Sequence, residues 1–259
     1  RRGSPPETPS PASSDVRGTV IFGALGDIHG DFDAVRAIMA RHTDVPFWLS
    51  VGDVAANDGR YEPVPAPLYW IKGNNEDFDF VQAQIDGRDP LDHLHYIPNG
   101  VVQRVGPLRV AGLGGTFAPT WFDTKPCDLP GARRTPRPGA ATRKLGAARD
   151  DKRRHFVRVE VNACKAMRQI DVLLTHEAPR PFVVADEDGR RARHGPRDAG
   201  KSPINDVLGA MKPRLHLFGH HHQFVARVVQ GVPSICLDLV GRSYLLVDAE
   251  TFHYEKRDT

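Results

Sequence analysis

Short apolar runs, each ending in a turn that carries Asp, Asn or His, recur along this 259-residue chain and constrain its fold more than any other feature. Such runs are typical of buried strands, and a glycine directly after a strand permits a tight turn. Parallel strands bring these turns together at the carboxyl edge of a sheet, where ligands bind. Five motifs follow the pattern, namely Gly26-Asp27-Ile28-His29-Gly30, Gly52-Asp53, Gly73-Asn74-Asn75-Glu76, Thr175-His176 and Gly219-His220-His221-His222.

The periodicity of the N-terminal half predicts alternating strands and helices, and therefore a largely parallel sheet of an α/β fold. Buried strands are expected over residues 19–25, 47–51, 68–71, 170–174 and 215–218. A helix follows the first strand, with Val35, Ile38, Met39 and His42 at helical spacing and Asp31 or Asp33 as its N-cap. Two short strands on either side of Gly106-Pro107 predict a hairpin.

The C-terminal half predicts further elements of both kinds. A helix is expected over residues 152–169, with Phe156, Val159, Ala163 and Met167 along one face. A short helix is expected from Pro203. Antiparallel strands are expected over residues 224–229, 232–237, 244–248 and 252–255.

The composition predicts one domain with irregular segments. Residues 1–17 are rich in Pro, Ser and Thr and are expected to be a disordered leader, whereas residues 18–259 form a single domain. Residues 123–150 are an insertion rich in Arg, Pro and Gly. The three cysteines are odd in number and widely spaced, which favours a reducing compartment and a cytoplasmic location. No apolar stretch is long enough to span a membrane, so no membrane partner is expected.

The polar residues of the five motifs form a set that suits two divalent metal ions. They supply two carboxylates, one amide oxygen and four imidazoles, from Asp27, His29, Asp53, Asn74, His176, His220 and His222. Side chains two residues apart in an extended segment point the same way, which applies to Asp27 with His29 and to His220 with His222. A carboxylate can bridge two cations, and Asp53 is the natural bridge. Each motif alone is an ordinary turn signal, but the five together predict a metal centre.

The order of these motifs resembles that of the calcineurin-like metallophosphoesterases over nearly all of residues 19–255. The resemblance implies a four-layer fold with two facing mixed β-sheets flanked by helices. It also implies that one metal takes Asp27, His29, Asp53 and His222. The other then takes Asp53, Asn74, His176 and His220, while His221 points away. The two metals are expected to be Mn, Fe or Zn ions, which this mixed nitrogen and oxygen ligand set allows.

The expected reaction is attack on phosphorus by a hydroxide that bridges the two metals. Asp53, Asn75 and His176 are the predicted catalytic residues. Many members of the family carry His where this chain has Asn75, and that His is usually assigned to orient the phosphate and protonate the leaving group. Asn can donate a hydrogen bond but cannot act as a general acid. The sequence therefore favours a phosphodiesterase that acts on substrates with good leaving groups.

Several stretches also resemble RNA lariat debranching enzymes, in particular Thr175-His176-Glu177-Ala178-Pro179 and Gly200-Lys201-Ser202-Pro203. Those enzymes commonly have Cys at the position of Asp27. An Arg-rich segment from Arg133 to Arg158 has only Asp150 and Asp151 against its positive charges and suits a phosphate-rich substrate. Asn75, Phe117, Trp121, Arg133 and Arg134 are predicted to bind a nucleotide or RNA substrate, with the two aromatic rings stacking on a base.

Two other functions fit parts of the pattern. A phosphomonoesterase or protein phosphatase would share Gly26-Asp27-Ile28-His29-Gly30-Asp31, but the Asp-Arg-Gly of the protein phosphatases is missing after Asp53. A non-catalytic scaffold with the same fold would tend to lose metal ligands, and here every ligand position is filled. Metal content and turnover of an activated diester distinguish these functions.

Overall fold

The structure, a computed structural model, describes residues 19–88, 90–132, 150–184 and 198–259. Two six-stranded sheets form its centre. The first sheet has the order β12-β11-β1-β2-β3-β4 and consists of β1 (Ile21–Leu25), β2 (Trp48–Ser50), β3 (Leu68–Trp70), β4 (Leu94–Tyr96), β11 (Ser243–Asp248) and β12 (Tyr254–Asp258). The second has the order β5-β6-β7-β8-β10-β9 and consists of β5 (Val102–Val105), β6 (Leu108–Leu113), β7 (Val172–Thr175), β8 (Leu215–Phe218), β9 (Val225–Val229) and β10 (Val232–Cys236).

Both sheets have a parallel centre with antiparallel margins. In the first sheet β1 to β4 run parallel, and β11 and β12 add antiparallel pairs beside β1. In the second sheet β6, β7, β8 and β10 run parallel, with β5 and β9 antiparallel at the edges. The predicted hairpin at Gly106-Pro107 is confirmed by the β5–β6 pairing. The C-terminal strands pair in two hairpins that belong to different sheets, and β10 also pairs in parallel with β8.

Helices cover the outer face of each sheet. They are α1 (Phe32–Arg41), α2 (Phe78–Ile85), α3 (Arg158–Ala166) and α4 (Ser202–Met211). Apolar residues of α1 and α2 share one core cluster with Trp48 and Trp70 of the first sheet. Apolar residues of α3 and α4 share another with Leu173 of the second sheet. The four-layer α/β fold predicted from the sequence is therefore confirmed.

A third core cluster lies between the two sheets and holds them face to face. Phe22 and Leu49 of the first sheet, and Ile71 directly after β3, belong to it together with Val172 and Leu217 of the second sheet, and all five are fully buried. Full burial of such a side chain contributes about 1.5–3 kcal/mol. Because this cluster fixes the sheets against each other, the turns at their carboxyl ends keep constant relative positions.

The helix predicted over residues 152–169 is wrong in its bounds and its face. A short 3₁₀ turn covers Lys152–Arg154, and α3 begins only at Arg158. Glu160 accepts a hydrogen bond from the Val157 N–H at 2.9 Å and so caps the start of the helix. Val159 is 56 % exposed, and the buried residues of α3 are Val161 and Cys164. Apolar spacing alone did not reveal this cap, which sets where the helix starts.

Several other bounds differ from the predictions. Asp31 is the N-cap of α1 and accepts from the Ala34 N–H, whereas His42 lies just past the helix and contacts the Tyr244 hydroxyl at 2.8 Å. The last predicted strand is shifted from residues 252–255 to Tyr254–Asp258. Sequence periodicity did not indicate α2 or the edge strand β4, which are short. The predicted leader and residues 133–149 of the predicted insertion lie outside the described residues.

The three cysteines are free thiols, with Cys164 and Cys236 buried and Cys127 exposed. Within the described part of the chain, none of the helices is both long enough and apolar enough to cross a membrane.

Candidate metal centre

The turns that carry the predicted ligands meet at the carboxyl ends of the parallel strands of both sheets. Asp27, Asp53 and Asn74 follow β1, β2 and β3, which are neighbours in the first sheet. His176 and His220 follow β7 and β8, which are neighbours in the second sheet. Because the two sheets face each other, the site is formed from both of them, as expected at the carboxyl edge of an α/β sheet.

Asp53, His176 and His220 form what we call the buried donor group. One potential ligand atom from each lies within 4.8 Å of the others. The His176 Nε2 atom is 3.6 Å from Asp53 Oδ1 and 3.2 Å from His220 Nδ1. Asn74 joins this group, because its Oδ1 atom lies 3.1 Å from His176 Nε2. These donors converge on one small region, as ligands of a single cation do.

Asp27, His29 and His222 form what we call the open donor group, whose potential ligand atoms also lie within 4.8 Å of one another. The His222 Nε2 atom is 3.1 Å from Asp27 Oδ2 and 3.1 Å from His29 Nε2. The side chain of Asp27 is 1 % exposed, whereas those of His29 and His222 are 27 % and 42 % exposed. This group therefore reaches solvent through its two imidazoles.

Asp53 faces both donor groups. Its Oδ1 atom lies toward His176, and its Oδ2 atom lies 3.7 Å from His29 Nε2. Burial opposes ionisation of this carboxyl, but the charges of His176 and His29 lower its pKa below the usual value. Asp53 is thus placed as a carboxylate between two sets of ligands.

Two glycines allow the carboxylates to approach the neighbouring backbone closely. A Cβ atom on Gly73 would lie 2.0 Å from Asp53 Oδ1, and one on Gly219 would lie 2.2 Å from Asp27 Oδ1. In place of side chains, backbone N–H groups contact the carboxylates: Asn74 donates to Asp53 at 2.6 Å, and His220 donates to Asp27 at 3.0 Å. The glycines of the motifs are therefore needed for the geometry of the ligands.

Four of the seven predicted ligands adopt left-handed backbone. The φ angles of His29, Asp53, His220 and His222 are 49°, 50°, 71° and 48°. Such a conformation costs about 1–2 kcal/mol for a residue other than glycine. Backbone in strained regions persists where surrounding interactions hold it and is frequent at functional sites.

Hydrogen bonds orient the imidazoles of the second sheet. His176 is fully buried, and its Nδ1 atom donates to the Val51 carbonyl at 2.9 Å, which leaves the Nε2 lone pair directed at the site. His221 belongs to neither donor group. Its ring packs against Phe182, with a centroid distance of 4.6 Å. This orientation agrees with the expectation that His221 points away.

Glu76 is an important residue to which the sequence analysis gave no role. It is 3 % exposed and accepts four hydrogen bonds, from the N–H groups of Val54, Ala55 and Gly73 and from the Tyr61 hydroxyl. Burial and the nearby charge of Asp53 raise its pKa to about 6. Glu76 thereby ties the turn after β2 to the turn after β3. Its position at the end of the Gly73 motif was the available signal.

The predicted substrate-binding residues lie in different surroundings. Asn75 is half-buried and its amide donates to Asp53 Oδ2 at 2.8 Å. The Phe117 ring packs against Phe122 and Phe156, so much of it is used to anchor its own loop. Trp121 is partly exposed and makes no ring contact with another aromatic residue in the described part of the chain. Arg133 and Arg134 lie outside the described residues. The substrate roles of these residues stay predictions.

Part of the basic segment is neutralised by acidic partners, of which the sequence analysis counted Asp151 but neither Asp79 nor Asp123. Arg153 pairs with Asp151 at 2.6 Å and with Asp79 at 2.8 Å. Arg158 pairs with Asp123 and lies over the Phe122 ring, 4.4 Å from its centroid. The charges of these two arginines are therefore engaged in ion pairs that stabilise the local structure.

Comparison with known proteins agrees with this geometry. The sequence profile of the calcineurin-like phosphoesterases matches residues 21–224. The lariat debranching enzyme of Schizosaccharomyces pombe is 24 % identical over 213 residues, which cover 78 % of this chain and 43 % of that enzyme. The chain thus spans less than half the length of this relative.

Solved structures show the same fold. One chain has a TM-score of 0.63 at 12 % identity, and TT1561 of Thermus thermophilus has a TM-score of 0.59 at 13 % identity. Both matches cover 93 % of this chain and 99 % of the other. The profile match establishes that this protein belongs to the calcineurin-like phosphoesterase family.

Proposed function

We propose that this protein is a dinuclear metal-dependent phosphodiesterase. The observation that carries the proposal is the meeting of two three-residue donor groups at one carboxylate, Asp53. The donor chemistry fits two divalent cations, because imidazole nitrogens combined with carboxylate and amide oxygens suit Mn, Fe or Zn ions.

The ligand assignment follows from the two groups. One cation would be held by Asp27, His29, Asp53 and His222, and the second by Asp53, Asn74, His176 and His220. Bound cations of this kind supply a nucleophilic water at neutral pH and offset the charge of the phosphoryl group. The protein itself contributes the close placement of the ligands, through the Val51 carbonyl that orients His176 and the Glu76 carboxylate that joins two ligand turns.

The diester preference rests on Asn75. Its amide is a hydrogen-bond donor beside Asp53 and can contact a phosphoryl oxygen, but it cannot protonate a leaving group. Absence of general-acid catalysis lowers the rate about 10²–10⁴-fold for a basic leaving group. We therefore expect good leaving groups to be cleaved fastest.

This preference is tested with the Mn²⁺-loaded protein and matched nitrophenyl substrates. The aryl diester should turn over faster than the aryl monoester, and Asn75→Gln should keep that order. Asn75→His should raise activity on an alkyl leaving group more than on the aryl one. Equal rates on alkyl monoesters and aryl diesters would refute the diester assignment, and absence of turnover with two ions bound would favour a scaffold.

We also propose a nucleotide or nucleic-acid substrate. Support comes from the similarity to a lariat debranching enzyme, the partly exposed Trp121 and the arginines of the basic segment. A protein that neutralises phosphates releases counterions, so its affinity falls steeply with salt. Replacement of Arg133, Arg134 and Arg137 by Ala should flatten the salt dependence of oligonucleotide binding and leave a small aryl diester unaffected. Unchanged salt dependence would favour small diesters.

A further inference from the structure

Glu177 directly follows His176, and one of its carboxylate oxygens accepts no hydrogen bond from a described residue. The residue is 2 % exposed, and its Oε1 atom accepts from the Phe117 N–H at 3.1 Å. Within the described part of the chain no hydrogen bond reaches Oε2, and the Lys201 ammonium lies 3.9 Å away. A buried carboxylate is unfavourable without a partner. Its orientation toward Lys201 therefore needs an explanation.

The backbone around Lys201 is firmly attached to the loop after β7. The Lys201 N–H donates to the Ala178 carbonyl at 2.8 Å. A Cβ atom on Gly200 would lie 2.5 Å from the Pro179 carbonyl oxygen, so only glycine permits this close approach. Asp198 Oδ1 accepts from the N–H groups of Phe182 and Gly200 at 2.7 and 2.9 Å. The base of the Lys201 side chain is thus fixed relative to His176.

The ammonium group of Lys201 keeps its hydrogen-bonding capacity. Its side chain is 30 % exposed, and the 3.9 Å distance to Glu177 is too long for a hydrogen bond. No hydrogen bond of this ammonium to another described residue is found. Glu177 directly follows His176 of the buried donor group. The ammonium therefore lies beside the loop that carries this ligand.

Two neighbouring cations differ from Lys201 in this respect. Lys72 is buried and donates to the carbonyls of Arg153 and His155 at 2.8 and 3.3 Å. Arg153 is engaged by two aspartates. Both cations stabilise the turn at residues 152–155. Lys201, by contrast, has a fixed backbone, and its ammonium lies near one counterion, Glu177, without a hydrogen bond to it. Within the described residues this ammonium donates to no protein acceptor.

We propose that Lys201 contacts a non-bridging oxygen of the substrate phosphoryl group beside the buried donor group, and that Glu177 positions its ammonium there. An ammonium is a point-charge donor suited to phosphate. Lys201 is then a substrate-binding residue, and Glu177 is a positioning residue that acts through it. This proposal rests on the phosphodiesterase function proposed above.

Inorganic phosphate is the probe for the test, used as a competitive inhibitor of aryl diester hydrolysis and in calorimetric titration of the Mn²⁺-loaded full chain. Loss of one charge-assisted hydrogen bond should weaken phosphate binding about tenfold in Lys201→Met. Lys201→Arg should recover most of the affinity. Lys212→Met is the matched control, because Lys212 lies at the other end of α4 and its ammonium donates to the Gln230 carbonyl at 2.6 Å. Metal content should equal that of the wild type in all three variants.

A double-mutant cycle tests the role of Glu177. Glu177→Gln should weaken phosphate binding about threefold when Lys201 is present and have no effect in Lys201→Met. An equal effect in both backgrounds would overturn the positioning role. Phosphate affinity in Lys201→Met equal to that in Lys212→Met would overturn the contact itself. Absence of turnover by the wild type would count against the phosphodiesterase function, whereas calorimetry would still decide the role of Lys201.

Discussion

The two donor groups lie side by side but differ in how the fold holds them. In the buried group His176 is fully buried, its ring is fixed by the Val51 carbonyl, and Asp53 is 2 % exposed. In the open group His29 and His222 are 27 % and 42 % exposed, and their rings contact each other edge to face. The side chains of the buried group are therefore held in place by the core between the sheets, whereas the imidazoles of the open group are held by surface turns.

This difference predicts unequal metal sites. Ligands with fixed orientation lose little freedom on binding, and a shielded site limits the access of water and chelators. We expect the ion of the buried group to bind more tightly and to leave more slowly. The ion of the open group should exchange first, because its imidazoles face solvent. Asp53 lies between the two groups and is expected to couple them.

The largest effect is expected from Asp53→Ala, which removes the carboxylate common to both groups. Turnover of an aryl diester should fall to the level of the uncatalysed reaction, because neither ion keeps its shared ligand. Asp44→Ala, at an exposed carboxylate outside the five motifs, is the control and should match the wild type. Substantial activity in Asp53→Ala would refute the role of Asp53 as a ligand common to both groups.

The next effect separates the two groups directly. His176→Ala should lower turnover by more than about 100-fold, since changes at outer-shell residues alone give roughly 10–100-fold losses. His222→Ala should have the smaller effect, because the buried group keeps its more tightly bound ion and only the ion of the open group is lost. Release of metal to a chelator, followed by stopped flow, should have a slow phase from the buried group and a fast phase from the open group. The slow phase should be absent in His176→Ala, and the fast phase should be absent in His222→Ala. The reverse assignment of phases would contradict the comparison.

An intermediate effect is expected for Glu76→Gln. A glutamine amide has one acceptor oxygen, so two of the four donors around Glu76 would lose their partner. Metal affinity of the buried group should fall about 10-fold, and Tyr61→Phe, which removes one donor, should have a smaller effect. Equilibrium dialysis measures both. Unchanged affinity in Glu76→Gln would show that the turns hold their positions without this residue.

The smallest effect is expected for His221→Ala. This ring belongs to neither donor group and packs on Phe182. Turnover should stay within about threefold of the wild type, as for changes away from a site. His220→Ala, one position away, should behave like His176→Ala. If the two substitutions have similar effects on kcat, the assignment of His220 to the buried group is wrong.

The convergence of the predicted ligands at one edge could be foreseen from the sequence, because each of them lies in a turn that follows a strand. The strands after which Asp27, Asp53 and His176 lie are short apolar runs, and parallel strands bring their ends to one edge. The four-layer fold came from the family resemblance. By contrast, which donor group is buried and which is exposed depends on packing between the sheets, and no local sequence pattern indicates it.

The residues that the sequence did not reveal act through long-range contacts. Glu76 depends on donors from a second turn, and Lys201 becomes notable only because Gly200 packs against the Pro179 carbonyl. The helix over residues 152–169 was misplaced for a related reason. Phe156 is buried in the core cluster of the second sheet but stands in the turn before α3, so its apolar character was wrongly taken as part of the helix.

Metal content of the protein after loading with Mn²⁺ and removal of unbound ions tests the central claim most directly. Two donor groups that share Asp53 predict two ions per chain in the wild type and almost none in Asp53→Ala. His222→Ala should retain one ion, held by the buried group. A wild type that binds one ion, or an Asp53→Ala variant that still binds two, would contradict a dinuclear centre built around this carboxylate.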